Sequence, residues 1–396
     1  MKLIIILLNL AICLSALAVD RINITEPPYG AVPNDGVSDN GAINAAVAAG
    51  RSIYFPPGTY NYTGSIQLPA NQSYRLYGDG PGVSTIVFNG NPYSGIYGPN
   101  MGAKTLNVEG LTLQGNTANC GTGIYASFGP HVSTGLKFHT ATIQNVQIVG
   151  SARDGTSGGY WSGGIFLHKA QNSVIDNVEV SGNKNVTQFG VQWQSSSDEA
   201  TTGLNASNLQ IKWCNSAFRT VGHVEGIYMT GFDFFSCGRG GLRAVDLAPS
   251  VGPAPTYLKP IASQFVNGKI DSVGDGLGTA LPLTKVSNVR FTHTGPEAVD
   301  GTMLFIDGAF DVMVTDCSFY GVSPNTVAQE NGVFVYNGHS IRIAGNNFNH
   351  MRPGNGSCIV IFGSSSVVRV TDNLFNDERS AYYNAVGDTY FNGNNR

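Results

Sequence analysis

Charge is what this chain has least of. Lys, Arg, Asp and Glu make up 12% of its 396 residues, about half the share in an ordinary globular protein. With 22 basic against 26 acidic residues the net charge is −4, so no basic footprint exists for phosphates and nucleic acid is excluded as a partner. Long apolar runs are equally scarce. The one present, Leu3 to Leu17 after Lys2, is too short and wrongly flanked for a membrane span, and Ala16-Leu17-Ala18 follows the small-x-small cleavage pattern. Residues 1–18 therefore read as a secretory signal peptide and the protein as extracellular, with residues 19–396 as the mature chain. Removing Cys13 with the signal leaves Cys120, Cys214, Cys237, Cys317 and Cys358. Their odd number and wide, irregular spacing exclude a disulfide framework, and the lack of C-x-x-C excludes a zinc site; buried small apolar residues with at most one bridge are expected.

Helix signals are also rare. One segment, Asn40–Ala49, has the alanine content and flanks of a helix, with Ser38 or Asp39 available to cap it and Gly50 to end it. Glycine, by contrast, is abundant at 51 residues. The surface must then be covered by Asn, Gln, Ser and Thr, a coat suited to polyols.

From Leu106 onward a short pattern returns: alternating apolar residues, a Gly, Asn or Asp, then alternating apolar residues again. The central residue falls at positions 110, 145, 177, 208, 231, 267, 288, 316, 345 and 372, at intervals of 21 to 36 residues. The shortest interval suits one coil of a parallel β-helix, three short strands and their bends, with longer ones carrying insertions at a bend. Second strands follow, among them 123–128, 163–168, 189–194, 240–245, 331–336 and 358–362. The reading is an all-β protein: one parallel β-helix of about ten to thirteen coils, regular over 104–380. The stretch 29–60 forms the N-terminal cap and first coil, its helix covering the exposed strand edges. The tail from Asn384 reads as weakly structured or lying against a partner.

The run Tyr29–Tyr60, YGAVPNDGVSDNGAINAAVAAGRSIYFPPGTY, resembles the N-terminal signature of the pectate-lyase-like right-handed parallel β-helix superfamily. The similarity lies in the branch of rhamnogalacturonase/epimerase-like proteins and bacteriophage tailspike depolymerases. It implies a right-handed single-stranded helix and a polysaccharide ligand that is hydrolysed, eliminated, epimerised or only bound. The signature occurs once, whereas fungal exo-β-1,3-glucanases show it twice, and the signal peptide departs from the tailspikes. A homotrimer is the assembly that the tailspike likeness implies.

Parallel coils stack equivalent outward residues into ladders. On the second strand Tyr125, Phe166, Gln192, Arg219 and Arg243 are expected in one column, with Ser127, His168 and Gln194 two residues on. Aromatic rings bind pyranose faces and guanidinium groups bind carboxylates, so this column reads as a sugar groove. Insertions at 114–122, 149–162 and 181–188 rise from one edge of it, with Tyr160 and Trp161 as sugar-stacking candidates. The proline-rich segment 248–260 reads as a flap or subunit contact. Hydrolysis needs two carboxyl groups; Glu225, Asp233, Asp246, Asp271 and Asp275 cluster near the arginines, and Asp233 and Asp246 with Glu179 or Asp271 are the expected pairs. Elimination would instead use Arg219 and Arg243, with His168, His223 or Tyr228 as alternative bases. Calcium would need a carboxylate cluster that these isolated acids, including Asp198 and Glu199, do not make recognisable, so no cofactor is expected. The rival reading is a non-catalytic glycan-binding adhesin or virion spike.

Overall fold

The ten repeat markers share one backbone state. Gly110, Asn145, Asn177, Asn208, Gly231, Asn267, Asn288, Asp316, Gly345 and Asp372 all have positive φ, from 51° to 68°. Only Gly, Asn and Asp adopt this left-handed conformation readily, which is why the markers are drawn from these three. Each turns the chain through a corner without breaking the strand pairing on either side. Asn177 also donates its side-chain amide to Asn145 Oδ1 at 2.7 Å, and Asn288 to Asn267 Oδ1 at 2.9 Å, so the corner residues of successive coils support one another.

A computed structural model describes residues 21–50, 52–129, 140–152, 155–156, 158–184, 186–195, 201–247, 262–294, 301–322, 330–349, 357–376, 382–384 and 389–391. Strands on both sides of the corners form a 20-stranded sheet, and the strands that close each coil form a second, 12-stranded sheet. Neighbouring coils pair in parallel throughout, for example Ala141–Gly150 with Ser173–Ser181 and Trp161–His168 with Phe189–Gln194. The chain is a right-handed parallel β-helix. Between the sheets runs one continuous apolar core. Inward residues repeat coil after coil, and Phe291, Phe319, Phe348 and Phe375 stack with ring centroids 4.8, 4.7 and 5.2 Å apart, the spacing of the strands themselves.

The helix α1, Asn40–Ala49, buries Ile43, Ala46 and Val47 against the first coils. Neither predicted cap residue caps it in the expected way. Asp39 makes no side-chain cap bond; its carboxylate accepts the amide protons of Val32 at 3.1 Å and Asn61 at 2.9 Å, joining the lead-in segment to the first coil. Ser38 Oγ lies 3.4 Å from the amide of Asn40, outside the N2–N3 positions that a cap serves. Gly50 ends the helix in extended backbone at φ −149°. A Cβ there would overlap Ile22 Cδ1, so the glycine is required for space.

Two sequence expectations are corrected, one on the cysteines agrees with the structure, and others fall outside the described residues. Segment 240–245 is not a strand: the strand is Val245–Leu247, preceded by a turn. The tail is not simply irregular, because Tyr382–Asn384 and Thr389–Phe391 pair with Ile359–Phe362 and Ser366–Thr371 and begin another coil. All five cysteines are buried and unbridged. The signal peptide, the 248–260 segment, Asp198 and Glu199 lie outside the described residues. Among the described residues no helix is long and apolar enough to cross a membrane.

Candidate functional site

The outward face of the 12-stranded sheet carries one ladder from end to end. Register sets Tyr97 opposite Tyr125, then Phe166, Gln192, Arg219, Asp246, Gly278, Phe305 and Phe334 on consecutive coils. The ladder opens with an aromatic platform. Tyr93 and Tyr97 lie 5.1 Å apart, Tyr97 and Tyr125 5.1 Å, and Tyr125 and Phe166 stack at 4.7 Å with 8° between their planes. Burial pushes the Tyr125 phenol above its ordinary pKa, and Tyr97 and Tyr93 add to this, so it stays a neutral hydrogen-bonding ring edge.

Beyond Phe166 the ladder becomes polar. Gln192 is buried and bonded at both ends of its amide: its Oε1 accepts from Arg219 Nε at 2.6 Å and its Nε2 donates to Gln194 Oε1 at 2.7 Å. Arg219 also lies over the Phe189 ring at 4.7 Å. Burial lowers the Arg219 pKa, and the Asp246 charge partly opposes that; a guanidinium so fixed stays charged and pre-oriented. Tyr93, Tyr125, Phe166, Phe189, Gln192 and Arg219 line a cleft of about 660 Å³. Asn119, Ser162 and Gln188 form its wall, so each of the three predicted insertions contributes to it.

Arg243 is not in the column. Asp246 takes its place opposite Arg219, because the strand begins later than expected. Arg243 instead enters from the preceding turn and lies across Gly278, where a Cβ would overlap its Cδ, with its guanidinium 4.7 Å from the Phe305 ring. There it stands between two carboxylates: Nη1 is 3.4 Å from Asp246 Oδ1 and Nε is 3.8 Å from Asp275 Oδ2. Contacts to one guanidinium thus gather two carboxyls, the pair of groups that glycosidic cleavage uses. The amide of Thr302 fixes Asp275 Oδ1 at 2.8 Å.

Asp233 is not a partner of Asp246. It stands in the larger sheet, between Gln210 and Lys269, and faces solvent on another side of the solenoid. Glu179 and Asp271 belong to that sheet too, where Lys212 meets Glu179 at 3.2 Å and Lys269 meets Asp271 at 3.9 Å. Glu225 and His223 lie 3.1 Å apart near the start of Val224–Thr230, a contact not aligned as a hydrogen bond, outside the cleft lining. Trp161 is 1% exposed and donates Nε1–H to Leu113 O and Val149 O; it is a core residue, not a sugar platform. Tyr160 is half-buried at the loop junction and does not line the cleft. His168 bonds Ser127 through Nδ1 at 2.9 Å and lines a separate cleft of about 540 Å³ with Asn71, Asn100 and Lys169. Tyr228 is exposed on the larger sheet.

The family described as rhamnogalacturonase A/epimerase, pectate lyase-like matches residues 22–243. The chain belongs to that pectate lyase-like family. A further description, periplasmic copper-binding protein (NosD), matches residues 294–396; among the described residues no three His, Cys, Asp or Glu side chains group as metal ligands. No curated protein matches the chain. Among solved structures, this pectate lyase-like chain is similar to the A-module of the Azotobacter vinelandii mannuronan C-5 epimerase AlgE4, at 14% identity and TM-score 0.51, over 94% of this chain and 100% of that one. DFA-IIIase from Arthrobacter chlorophenolicus matches at 11% and 0.54, over 90% and 94%. Tailspike protein 2 of bacteriophage CBA120 matches at 14% and 0.52, over 90% of this chain and 48% of its own. At such identities the likeness is one of fold.

Two features of this pectate lyase-like ladder escaped the sequence. Asp275 was one carboxyl among five, with no signal setting it beside Asp246. A second aromatic platform lies past the charged centre: Phe334 follows Phe305 at 5.3 Å, and Tyr336 and Phe362 stack at 6.1 Å, 37% and 46% exposed. The alternation in NGVFVY carries that signal at Phe334 and Tyr336, while in CIVIF only Phe362 does, Val360 standing opposite Phe334.

Proposed function

We propose that this chain is a secreted polysaccharide-degrading enzyme that holds a glycan along the 12-stranded sheet and cleaves it at Asp246 and Asp275. The observation that carries this reading is the order of the ladder: stacked aromatics, then Arg219, then two carboxyls flanking Arg243, then aromatics again. Aromatic faces hold pyranose rings, and the fixed Arg219 fork orients hydroxyl or carboxylate groups entering the polar centre. One carboxyl protonates the leaving glycosidic oxygen, while the other activates water or attacks the anomeric carbon. The carboxyl pair favours hydrolysis over elimination, since elimination needs one base and a neutralised uronate. One structural relative is an epimerase of mannuronan and another is a tailspike with an enzymatically active domain, which is consistent with glycan processing. Because Arg243 engages both carboxyls, the second reading is a binding-only protein.

Incubation with a panel of acidic and neutral polysaccharides separates these readings. New reducing ends without absorbance at 235 nm support hydrolysis; reducing ends with that absorbance replace it with elimination. Binding without new ends would leave only the second reading.

A further inference from the structure

The larger sheet carries a column of cations that the aromatic cleft does not use. Register sets Lys285 opposite Met313, Met313 opposite Arg342, and Arg342 opposite Arg369, on four consecutive coils. All four side chains are exposed. Among the described residues, no carboxylate lies within ion-pairing distance of Lys285, Arg342 or Arg369. Three other cations of this sheet do have carboxylate partners: Arg75 meets Glu109 at 2.8 Å, Lys212 meets Glu179 at 3.2 Å, and Lys269 lies between Asp233 and Asp271. Arg342 and Arg369 stand directly opposite each other at one coil spacing, about 4.8 Å, where like charges destabilise a sheet. In a chain so poor in charge, an anion shared along the column would relieve that repulsion.

We propose that Lys285, Arg342 and Arg369 form a binding site for an acidic polysaccharide, separate from the aromatic cleft and holding the chain along the helix axis. The column runs along the helix axis, with Met313 between Lys285 and the two arginines, a direction that an extended polymer of charged sugars can follow. Its cations are sparse, matching a ligand with at most one carboxylate or sulfate per sugar. Nucleic acid fits less well: duplex DNA carries a charge every ~1.7 Å along its axis, far denser than three cations spread over coils about 4.8 Å apart. The site does not depend on the proposed cleavage.

Affinity electrophoresis through native gels containing polygalacturonate tests this directly. Wild-type protein should be retarded at low salt and released at high salt, whereas any retardation by neutral β-glucan should be insensitive to salt and to the cation column. The variant K285Q/R342Q/R369Q should bind polygalacturonate at least tenfold more weakly at low salt, while its thermal midpoint stays equal or rises because the arginine repulsion is gone. D246N/D275N should be retarded like wild type even where cleavage is lost, which separates this site from the catalytic reading. Equal retardation of the triple-Gln variant by polygalacturonate, or stronger retardation of wild type by single-stranded DNA, would each overturn the proposal.

Discussion

Asp246 and Asp275 differ from the other acids of the chain in sharing one cation while facing the end of an aromatic ladder. Their side chains are 32% and 39% exposed, and partly exposed ion pairs contribute only about 0–1 kcal/mol to stability. Asp246→Asn and Asp275→Asn keep side-chain volume and remove the titrating group. Each is expected to lower the cleavage rate by roughly 10²–10⁴-fold while shifting the unfolding midpoint little. Rate assays and thermal melts on the same preparations check this, and full activity in both variants would move the chemistry elsewhere. The sequence contained both residues but not their meeting. Their approach depends on Gly278 leaving space for Arg243, a relation between coils that no local pattern records. Trp161 misleads for the opposite reason: its Gly- and Ser-rich neighbourhood reads as a loop, yet Trp161 itself opens a strand and two carbonyls accept its indole N–H.

At the level of elements, what was legible is the corner. The ten Gly, Asn and Asp markers were visible as a period because one backbone state selects them. Asn177→Ala should cost about 1–2 kcal/mol from left-handed strain, plus the bond to Asn145, whereas Asn177→Gly should lose only the bond. Denaturant unfolding that ranks Ala equal to Gly would remove the conformational explanation. The helix α1 was legible by composition, but the task of Asp39 was not, since its carboxylate serves Val32 and Asn61 rather than the helix. Burial is the largest influence on that carboxyl and raises its pKa above 3.8, with Asp35 adding to the rise and the two amide bonds opposing it. The folded state therefore keeps the Asp39 proton to higher pH than the unfolded chain, so the contribution of Asp39 is greatest below pH 3.8 and falls as pH rises through the raised value. Comparing thermal midpoints from about pH 4 to neutrality, the advantage of wild type over Asp39→Asn should shrink with rising pH. A growing advantage would mean that the two amide bonds outweigh burial.

Across the whole molecule, one sheet face joins two aromatic platforms through a charged centre. From Tyr97 to Phe334 the ladder takes eight coil steps, roughly 38 Å at strand spacing. A glycan lying along it would fill both platforms only if it were several sugars long, and the scissile bond would then lie within the chain. Binding energy from the remote platforms can be used at the reacting centre only when both ends are occupied. kcat/KM should therefore climb with oligosaccharide length and level off once the ladder is filled. Phe305 is already covered by Arg243, so the distal platform rests on Phe334, Tyr336 and Phe362. Tyr336→Ala and Phe362→Ala should each raise KM for long substrates by about threefold to tenfold and leave short ones unchanged, because short chains never reach those coils. If the same loss appeared with the shortest cleaved oligosaccharide, the two aromatics would act through the fold of the C-terminal coils and not as sugar platforms.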